Sequence, residues 1–425
     1  MTEHTPLRVA IIGGGIAGLA AARVLREQHD VTVYERNASD TAEAGAAVGL
    51  GPNGTKMAKS LGLTKESLKA VVSSGFRTFD QTGALLKESR MDCAKAFGSE
   101  WWMVHRQDLK DALFEAATGE GSEWPGKPAK IVFKSRVENV DPENGLIQLG
   151  DGSIVEADLI IGMNHSYIAL QVETNATQKG ADGIHSKTRA AVVGLEHPPP
   201  VPANISLYRF TVPLSQVTEL LGEIPDALKS EDGTFLASFI AADGSNRNAV
   251  IYPCRNKEIM NFACAVPDSI LKQQSQESWT QDGDLEEMIR HFEDFPPWLH
   301  TIMRTLSNVK LYQLRDANPL PSYAREHVAL IGDAAHPMVP YQGQGANQAL
   351  EDAEALRLFL RPGLTSNDLA GVLKTWDSVR RPRASQVQLN SRVAAAKVSP
   401  EVILQRMRFN WTYDGIEEFV KSKDH

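Results

Sequence analysis

The chain has 425 residues, of which 42% are apolar and 23% charged, and its 44 basic and 53 acidic residues give a net charge of -9. This composition is typical of a globular protein with more than one domain, and without a basic tract it disfavours nucleic acid or an anionic membrane as partner. The three cysteines form no CxxC pair, and no apolar run approaches the roughly 18 residues of a membrane span. We therefore expect a reduced, cytoplasmic protein without a signal peptide.

The first elements of the chain predict a βαβ unit. Residues 7–12 form an apolar run typical of a buried strand, and Gly-Gly-Gly-Ile-Ala-Gly follows at 13–18. An alanine- and leucine-rich helix is expected at about 17–28, and a second apolar strand at 31–34. A glycine-rich turn between a strand and a helix is where such units bind dinucleotides.

Each glycine of this turn has a mechanical role. Gly13 permits the tight turn, Gly15 lets the backbone approach a pyrophosphate, and Gly18 allows close packing of helix on strand. The helix N-terminus offers N–H donors and a partial positive charge to the phosphates. Glu35, 22 residues after Gly13, ends the second strand where a carboxylate accepts from a ribose hydroxyl. The pattern predicts a dinucleotide site, the alternative being a glycine-rich turn without a ligand.

Periodicity predicts the remaining elements. They are strands at 131–139 and 146–148 in a meander with turns at 144–145 and 151–152, a buried parallel strand at 158–162, an antiparallel sheet at 205–267 that covers a cavity, a helix at 285–303 interrupted by two prolines, a buried strand at 327–331, a strong helix at 347–360 and a mostly helical tail from 368. The nucleotide-binding elements are thus separated along the chain by an inserted sheet.

Five further segments carry a resemblance to a known family. Asp333 follows a buried strand in Ile331-Gly332-Asp333-Ala334, and a glycine-rich stretch runs from 340 to 353. Residues 181–189 read ADGIHSKTR, residues 105–109 read HRQDL, and residues 48–54 read VGLGPNG. Together with the glycine turn, these segments resemble the flavoprotein aromatic hydroxylases, class A FAD-dependent monooxygenases of the salicylate hydroxylase type, over nearly the whole chain.

The resemblance implies FAD as cofactor and NADPH or NADH as a transient co-substrate without a domain of its own. Asp333 would contact ribityl or ribose hydroxyls, and Asp182 would contact FAD and the nicotinamide, although either carboxylate is also compatible with a turn or a helix cap. Gly343 and Gly345 would present N–H groups to reduced flavin, which is anionic at its pyrimidine edge. The residues expected to bind FAD are Gly13, Gly15, Ala17, Gly18, Glu35, Arg36, Gly49, Arg106, Asp182, Asp333, Gly343, Gly345, Ala346 and Asn347.

The expected fold class is α/β, with a Rossmann-like FAD-binding domain, an inserted antiparallel-sheet substrate domain and a helical C-terminal tail. The FAD-binding domain is predicted to comprise residues 1–75, 100–200 and 308–365, and the substrate domain residues 76–99 and 201–307. Residues 366–425 form the C-terminal helical segment in this prediction.

The implied reaction is hydroxylation of a phenolic or aromatic-acid substrate with NAD(P)H and O2 through a flavin C4a-hydroperoxide. We predict that Arg209 pairs with a substrate carboxylate or phenolate and that Tyr252 relays its proton. The alternatives are a surface salt bridge for Arg209 and a core aromatic for Tyr252. His336, next to Pro337, is compatible with packing or with chemistry.

One segment departs from the family pattern. The strand ending at Gly162 should run straight into Ala181-Asp182-Gly183, but the 18 residues 163–180 intervene. We interpret them as a retained intron translated in frame. Gly162-Met163 can be encoded with a GTATG donor, Thr174-Asn175 with the ACTAAC of a fungal branch point, and Lys179-Gly180 with an AG acceptor. The alternative is a genuine surface loop, which would lie beside the flavin site.

Two other functions remain open at this stage. One is an FAD-dependent epoxidase or monooxygenase of a non-aromatic, terpenoid-like alkene, and the other is a non-catalytic FAD-fold protein. The expected partners are a small aromatic substrate, O2 and NAD(P)H, with no metal. The sequence leaves open the choice of nicotinamide cofactor, the type of hydroxylation and whether the protein is a monomer or a homodimer.

Overall fold

A computed structural model describes residues 5–39, 46–163, 187–229, 233–272, 282–393 and 398–423. Its strands, in chain order, are β1 (Arg8–Ile12), β2 (Asp30–Tyr34), β3 (Ala47–Leu50), β4 (Val71–Asp80), β5 (Leu85–Arg90), β6 (Trp102–His105), β7 (Lys130–Val132), β8 (Val137–Asp141), β9 (Leu146–Leu149), β10 (Ile154–Glu156), β11 (Leu159–Met163), β12 (Val201–Pro213), β13 (Thr234–Ile240), β14 (Asn248–Cys254), β15 (Ile259–Pro267), β16 (Lys310–Asp316), β17 (Ala324–Arg325) and β18 (Val328–Ile331).

The α-helices of the described residues are spread along the chain. They are α1 (Ile16–Leu25), α2 (Pro52–Ser60), α3 (Cys93–Phe97), α4 (Arg106–Thr118), α5 (Lys187–Val193), α6 (Leu214–Leu221), α7 (Leu285–His291), α8 (Pro297–Met303), α9 (Gly345–Ala355), α10 (Leu369–Asn390), α11 (Pro400–Trp411) and α12 (Ile416–Lys423). In the described part of the chain, no helix combines the length and apolarity required to cross a membrane.

The first layer is a six-stranded sheet in the order β17-β18-β11-β1-β2-β7. Neighbouring strands from β18 to β7 run parallel, and only the short edge strand β17 is antiparallel. The central strands are buried apolar runs, as expected of a parallel sheet covered on both faces. Because β1, β11 and β18 are adjacent and parallel, the segments that follow them meet at one carboxyl edge, where α/β sheets bind ligands.

The second layer is a nine-stranded sheet in the order β16-β12-β15-β14-β13-β4-β6-β3, with β5 paired to β4. One face of it, which carries Tyr208, Phe210 and Val212 of β12, packs against α7 and α8 in a separate apolar core. The opposite face carries Leu207, which packs with Val339 from the loop after β18. This opposite face therefore looks toward the carboxyl edge of the parallel sheet.

Several predicted elements differ from the observed ones. Residues 131–139 are not one strand of a meander, because Lys134 takes a left-handed φ of 55° and separates β7, which is parallel to β2, from β8. The helix predicted at 347–360 begins at Gly345 and ends at Ala355, where a 3-10 turn (Leu356–Leu360) takes over. The helix break at Pro296-Pro297 is confirmed.

The predicted domain boundaries stay a prediction. Strand β16 pairs with β12 in the nine-stranded sheet, although the predicted boundary assigned residues from 308 onward to the FAD-binding domain. Strands β3 and β6 also join this sheet through β4. Residues that the sequence assigned to the FAD-binding domain therefore form part of the nine-stranded sheet.

The C-terminal helices pack onto α9 through a buried carboxylate. Glu354 Oε2 accepts a hydrogen bond from the Ile416 N–H at 3.0 Å. Burial raises the pKa of Glu354 to about 7, and Glu351 adds a little to this rise. The hydrogen bond from Ile416 and the charges of Arg357 and Arg380 lower the pKa, but by less. A raised pKa means that the folded state binds the proton more tightly than the unfolded state. This tighter proton binding makes its full contribution to the free energy of unfolding below the ordinary pKa of a glutamate, and the contribution is lost as the pH rises through 7.

We expect Glu354→Gln to match the parent protein in stability at pH 5 and to exceed it by about 2–4 kcal/mol at pH 8, since the amide keeps an acceptor for Ile416 without a charge. Urea denaturation at both pH values measures this difference. Glu418→Gln, at an exposed ion pair with Lys421, is the control and should show no such pH-dependent gain. If the free energy of unfolding changed with pH in the same way in both variants, ionisation of the buried Glu354 would not explain the effect.

Candidate cofactor and substrate site

The glycine turn after β1 has the geometry that dinucleotide binding requires. Gly13 adopts φ 108° and donates its N–H to the Tyr34 carbonyl at 2.9 Å, and Gly15 is the N-cap of α1. A Cβ on Gly18 would lie 2.2 Å from the Gly13 carbonyl oxygen, so only glycine permits this approach of helix to strand. Ala17 is buried in the same turn.

Glu35 is fixed at the end of β2, beside this turn. Its Oε2 accepts from the Gly14 N–H at 2.6 Å and its Oε1 from the Asn37 N–H at 2.8 Å. Each carboxylate oxygen has a second lone pair, which leaves acceptors for ribose hydroxyls. Arg36 follows it and is half-buried.

Replacing Gly18 by Ala is expected to lower the free energy of unfolding by about 1–3 kcal/mol and to weaken FAD binding, because the added methyl group must push the Gly13 carbonyl away. Gly371→Ala is the control, since a Cβ there meets no atom within 4 Å. That substitution lies in α10 and should be neutral or stabilise by up to about 1 kcal/mol. Similar losses in both variants, measured by urea denaturation and FAD titration, would contradict the role of Gly18.

Asp333 lies at the same carboxyl edge, in the 3-10 turn after β18. Gly332 brings this turn against the first one, because a Cβ on Gly332 would lie 3.1 Å from Ala17 Cβ. The Asp333 side chain is exposed, and Arg189 holds its backbone by donating to the Asp333 carbonyl at 2.7 Å and to the Ala334 carbonyl at 2.8 Å. The two predicted FAD segments are thus adjacent. Asp182, the third, lies outside the described residues.

The glycine-rich stretch before α9 leaves open backbone beside β3. Gly343 has a left-handed φ of 61°, and neither it nor Gly345 would place a Cβ within 4 Å of another atom. Asn347 is fully buried and donates to the carbonyls of Gly49 and Gly343 at 2.9 and 2.7 Å. Ala346, between them, is half-buried. The Gly343 N–H donates to the Pro340 carbonyl at 2.9 Å, and the first hydrogen bond within α9 is donated by Gln348, to the Gln344 carbonyl at 2.8 Å. The N–H groups of Gly345, Ala346 and Asn347 lie before that bond and form a cradle at the helix start that suits the flavin ring.

A buried charged network supports this cradle from below. Asp352 Oδ2 accepts from the Gly332 N–H and from His336 Nε2, and Asp352 Oδ1 accepts from Arg380 Nε at 2.9 Å. Glu351 accepts from Arg380 and Arg383, each at 2.7 Å, and from Asn53 Nδ2 at 2.8 Å. The network connects the turn after β18 and helix α9 to α10.

The network also sets the charge states of its acids. Burial alone would raise the pKa of Asp352, but His336 and Arg380 outweigh it, so this pKa lies below its ordinary value. Arg383 and Arg380 do the same for Glu351. His336 is therefore a buried partner of Asp352, and no local pattern predicted a role for Asp352, Arg380 or Arg383.

Arg209 and Tyr252 lie on the face of the nine-stranded sheet that looks toward the cradle. Arg209 pairs in register with Ala263, and Tyr252 with Asn261, two residues away on the same strand, β15. The Asn261 Oδ1 accepts from the Ala47 N–H at 3.0 Å, which fixes this face to β3. The structure thus brings both residues to the boundary between the layers, and their catalytic role remains a prediction.

Arg209 is half-buried and has no acidic partner among the described residues. Its Nε is buried without a hydrogen-bond partner, and among the described residues no carboxylate forms an ion pair with it. It lies over the Tyr312 ring, 5.9 Å from the centroid. Burial lowers the pKa of Arg209, and the positive charge of Arg106 lowers it further, whereas Tyr252 and Tyr312 raise it. Arg106 therefore lies near the same site.

Two tryptophans pack against the end of β3 and the residue that follows it. A Cβ on Gly49 would lie 3.1 Å from Trp101 Nε1, and a Cβ on Gly51 would lie 2.6 Å from Trp411 Nε1. The two indole rings are 5.5 Å apart and belong to the same apolar cluster as Tyr252. Trp411 ends α11, so the C-terminal segment contributes to the site, which no local pattern in the sequence indicated.

Comparison with known proteins decides the family. Residues 6–391 match the model of the FAD binding domain family. The chain belongs to the class A FAD-dependent monooxygenases. The monooxygenase is 29% identical over 401 residues to hispidin-3-hydroxylase of Neonothopanus nambi, covering 91% of this chain and 87% of that protein.

Two further similarities extend this result. The 3-amino-4-hydroxybenzoate 2-monooxygenase of Streptomyces platensis is 28% identical over 397 residues, covering 92% of this chain and 88% of that protein. A salicylate hydroxylase substrate complex superposes with a TM-score of 0.70 at 25% identity, covering 97% of each chain. The predicted fold class and FAD as cofactor are confirmed. Membership of an enzyme family also argues against the non-catalytic alternative.

Proposed function

We propose that this monooxygenase hydroxylates a phenolic or aromatic-acid substrate with NAD(P)H and O2. The observation that carries the proposal is the half-buried guanidinium of Arg209, which lies near Tyr252 and Tyr312, has a buried Nε without a hydrogen-bond partner and forms no ion pair among the described residues. A partly enclosed cation without an acid favours an anionic ligand, and a carboxylate or phenolate pairs with guanidinium through charge-assisted hydrogen bonds.

FAD supplies the oxygen-transfer chemistry when it is bound in the cradle and reduced by NAD(P)H. The chain's own residues position the ring and control protons. Burial raises the pKa of Tyr252, Arg209 partly offsets this, and the hydroxyl stays protonated at neutral pH. Tyr252 can therefore donate a hydrogen bond to a substrate oxygen.

The two tryptophans favour a flat substrate. Trp101 and Trp411 are each only 6% exposed and lie against the segment that ends β3, next to the cradle. A planar ring between these indoles and the tyrosines is held by stacking, while bulk water is kept out of the site. The hispidin, salicylate and aminohydroxybenzoate named in the relatives' activities are all aromatic, which supports the same class of substrate here.

A substrate panel tests the proposal. The purified flavoprotein is mixed with NADH or NADPH and with phenolic acids, resorcinols or terpenoid alkenes, and nicotinamide oxidation, oxygen consumption and product mass are recorded. We expect the phenolic acids or resorcinols to stimulate nicotinamide oxidation and to gain one oxygen atom, with or without loss of CO2. Stimulation by the alkenes alone would support the epoxidase instead and overturn the assignment.

A further inference from the structure

Strand β11 continues one residue beyond Gly162, and this residue is Met163. It pairs in register with Ile331, directly before the turn that carries Asp333, and is only 7% exposed. In the resembled family pattern, the residue after this glycine is the alanine of Ala-Asp-Gly, which here is Ala181. A long, flexible thioether therefore takes a position at the carboxyl edge where the pattern has a methyl group.

The Met163 side chain reaches the start of helix α1. Its Sδ lies 2.7 Å from the backbone nitrogen of Gly18, which is the third residue of the helix. The first hydrogen bond within the helix is donated by Leu19, to the Gly15 carbonyl at 2.9 Å. The Gly18 N–H is thus one of the groups that a helix start leaves without an intrahelical partner and that an anion normally occupies.

A thioether is a poor substitute for a phosphate at this position. Sulfur is neutral and a weak acceptor, so it gains little from the positive end of the helix, whereas a pyrophosphate gains from both the N–H groups and the dipole. At 2.7 Å the sulfur also fills the space in front of the N–H. A phosphate group that accepted a hydrogen bond from the Gly18 N–H would have to displace this side chain.

We propose that Met163 lowers the affinity of this monooxygenase for FAD by occupying the helix end that the pyrophosphate binds. Met163→Ala should bind FAD at least about tenfold more tightly, the factor that corresponds to one hydrogen bond from an N–H to a charged group. The readout is the dissociation constant from quenching of FAD fluorescence in the purified apoprotein. No substrate or NAD(P)H is present, so the result is independent of the proposed reaction.

The matched control is Met288→Ala, at a fully buried methionine in the apolar core under the nine-stranded sheet, which should leave the dissociation constant unchanged. Deleting residues 163–180 places Ala181 directly after Gly162 and should tighten binding at least as much as Met163→Ala. Met163→Val, whose shorter branched side chain suits a strand but stops short of Gly18, serves if the alanine variant fails to fold. An unchanged dissociation constant in a folded Met163→Ala or Met163→Val protein would overturn the proposal.

Discussion

Replacing Arg380 by Met is expected to lower the free energy of unfolding by about 3–5 kcal/mol, the largest stability effect of any single substitution considered for this chain. Arg380 is completely buried and forms ion pairs with Asp352 and Glu351 at 2.9 and 2.7 Å. Methionine fills a similar volume but leaves the two buried acids with too little positive charge. Urea denaturation of the FAD-loaded protein measures the loss.

The neighbouring Arg381 provides the control. It forms an ion pair with Asp377 one turn away at 3.0 Å, and its side chain is one-third exposed. A pair of this kind contributes about 0–1 kcal/mol, so Arg381→Met should remain close to the parent protein. If Arg380→Met were no less stable than Arg381→Met, the buried ion pairs of Arg380 would not make the contribution to the free energy of unfolding that their geometry indicates.

Replacing Arg209 by Met should reduce kcat/KM for an aromatic acid about 10²–10³-fold, because the substrate anion then enters a buried site without a counter-charge. Arg209→Lys should recover only part of this loss, since an ammonium group cannot form the two parallel hydrogen bonds of a guanidinium. The perturbation of the flavin spectrum on substrate binding gives the dissociation constant for each variant alongside the turnover.

Arg247→Met is the matched control for the charge change. Arg247 lies in the loop directly before β14 and pairs with Asp243 and Asp294 at 2.6 and 2.7 Å. Its removal should change stability more than turnover. Unchanged kcat/KM in Arg209→Met for the true substrate would remove Arg209 from the site and return it to a structural role.

The sequence predicted those parts of the site that are encoded locally. Gly13, Gly18 and Glu35 lie within 23 residues, so the spacing alone fixes a turn, a helix start and a strand end. The strand before Asp333 is a continuous apolar run, which is how a buried parallel strand reads. The parallel pairing of β1, β11 and β18 then makes the separate segments neighbours.

The parts that were missed depend on contacts between distant residues. Asp352 and Arg380 are 28 residues apart on different helices. The sequence alone does not show whether an arginine such as Arg380 is buried or exposed. Trp411 lies about 360 residues after the glycine it contacts, Gly51. The break in the predicted strand at 131–139 comes from Lys134, for which the left-handed conformation is uncommon. Its N–H donates to the Asn37 carbonyl at 3.1 Å, a contact with a residue almost 100 positions earlier that no local pattern encodes.

The measurement that tests the central claim most directly is the mass of the product formed under ¹⁸O₂ from whichever aromatic acid or phenol stimulates NAD(P)H oxidation. The FAD-dependent monooxygenase assignment predicts one heavy oxygen atom in the aromatic product, with the second leaving as water. A product whose added oxygen comes from solvent water, or oxidation of NAD(P)H that yields only hydrogen peroxide with every aromatic substrate tested, would contradict it.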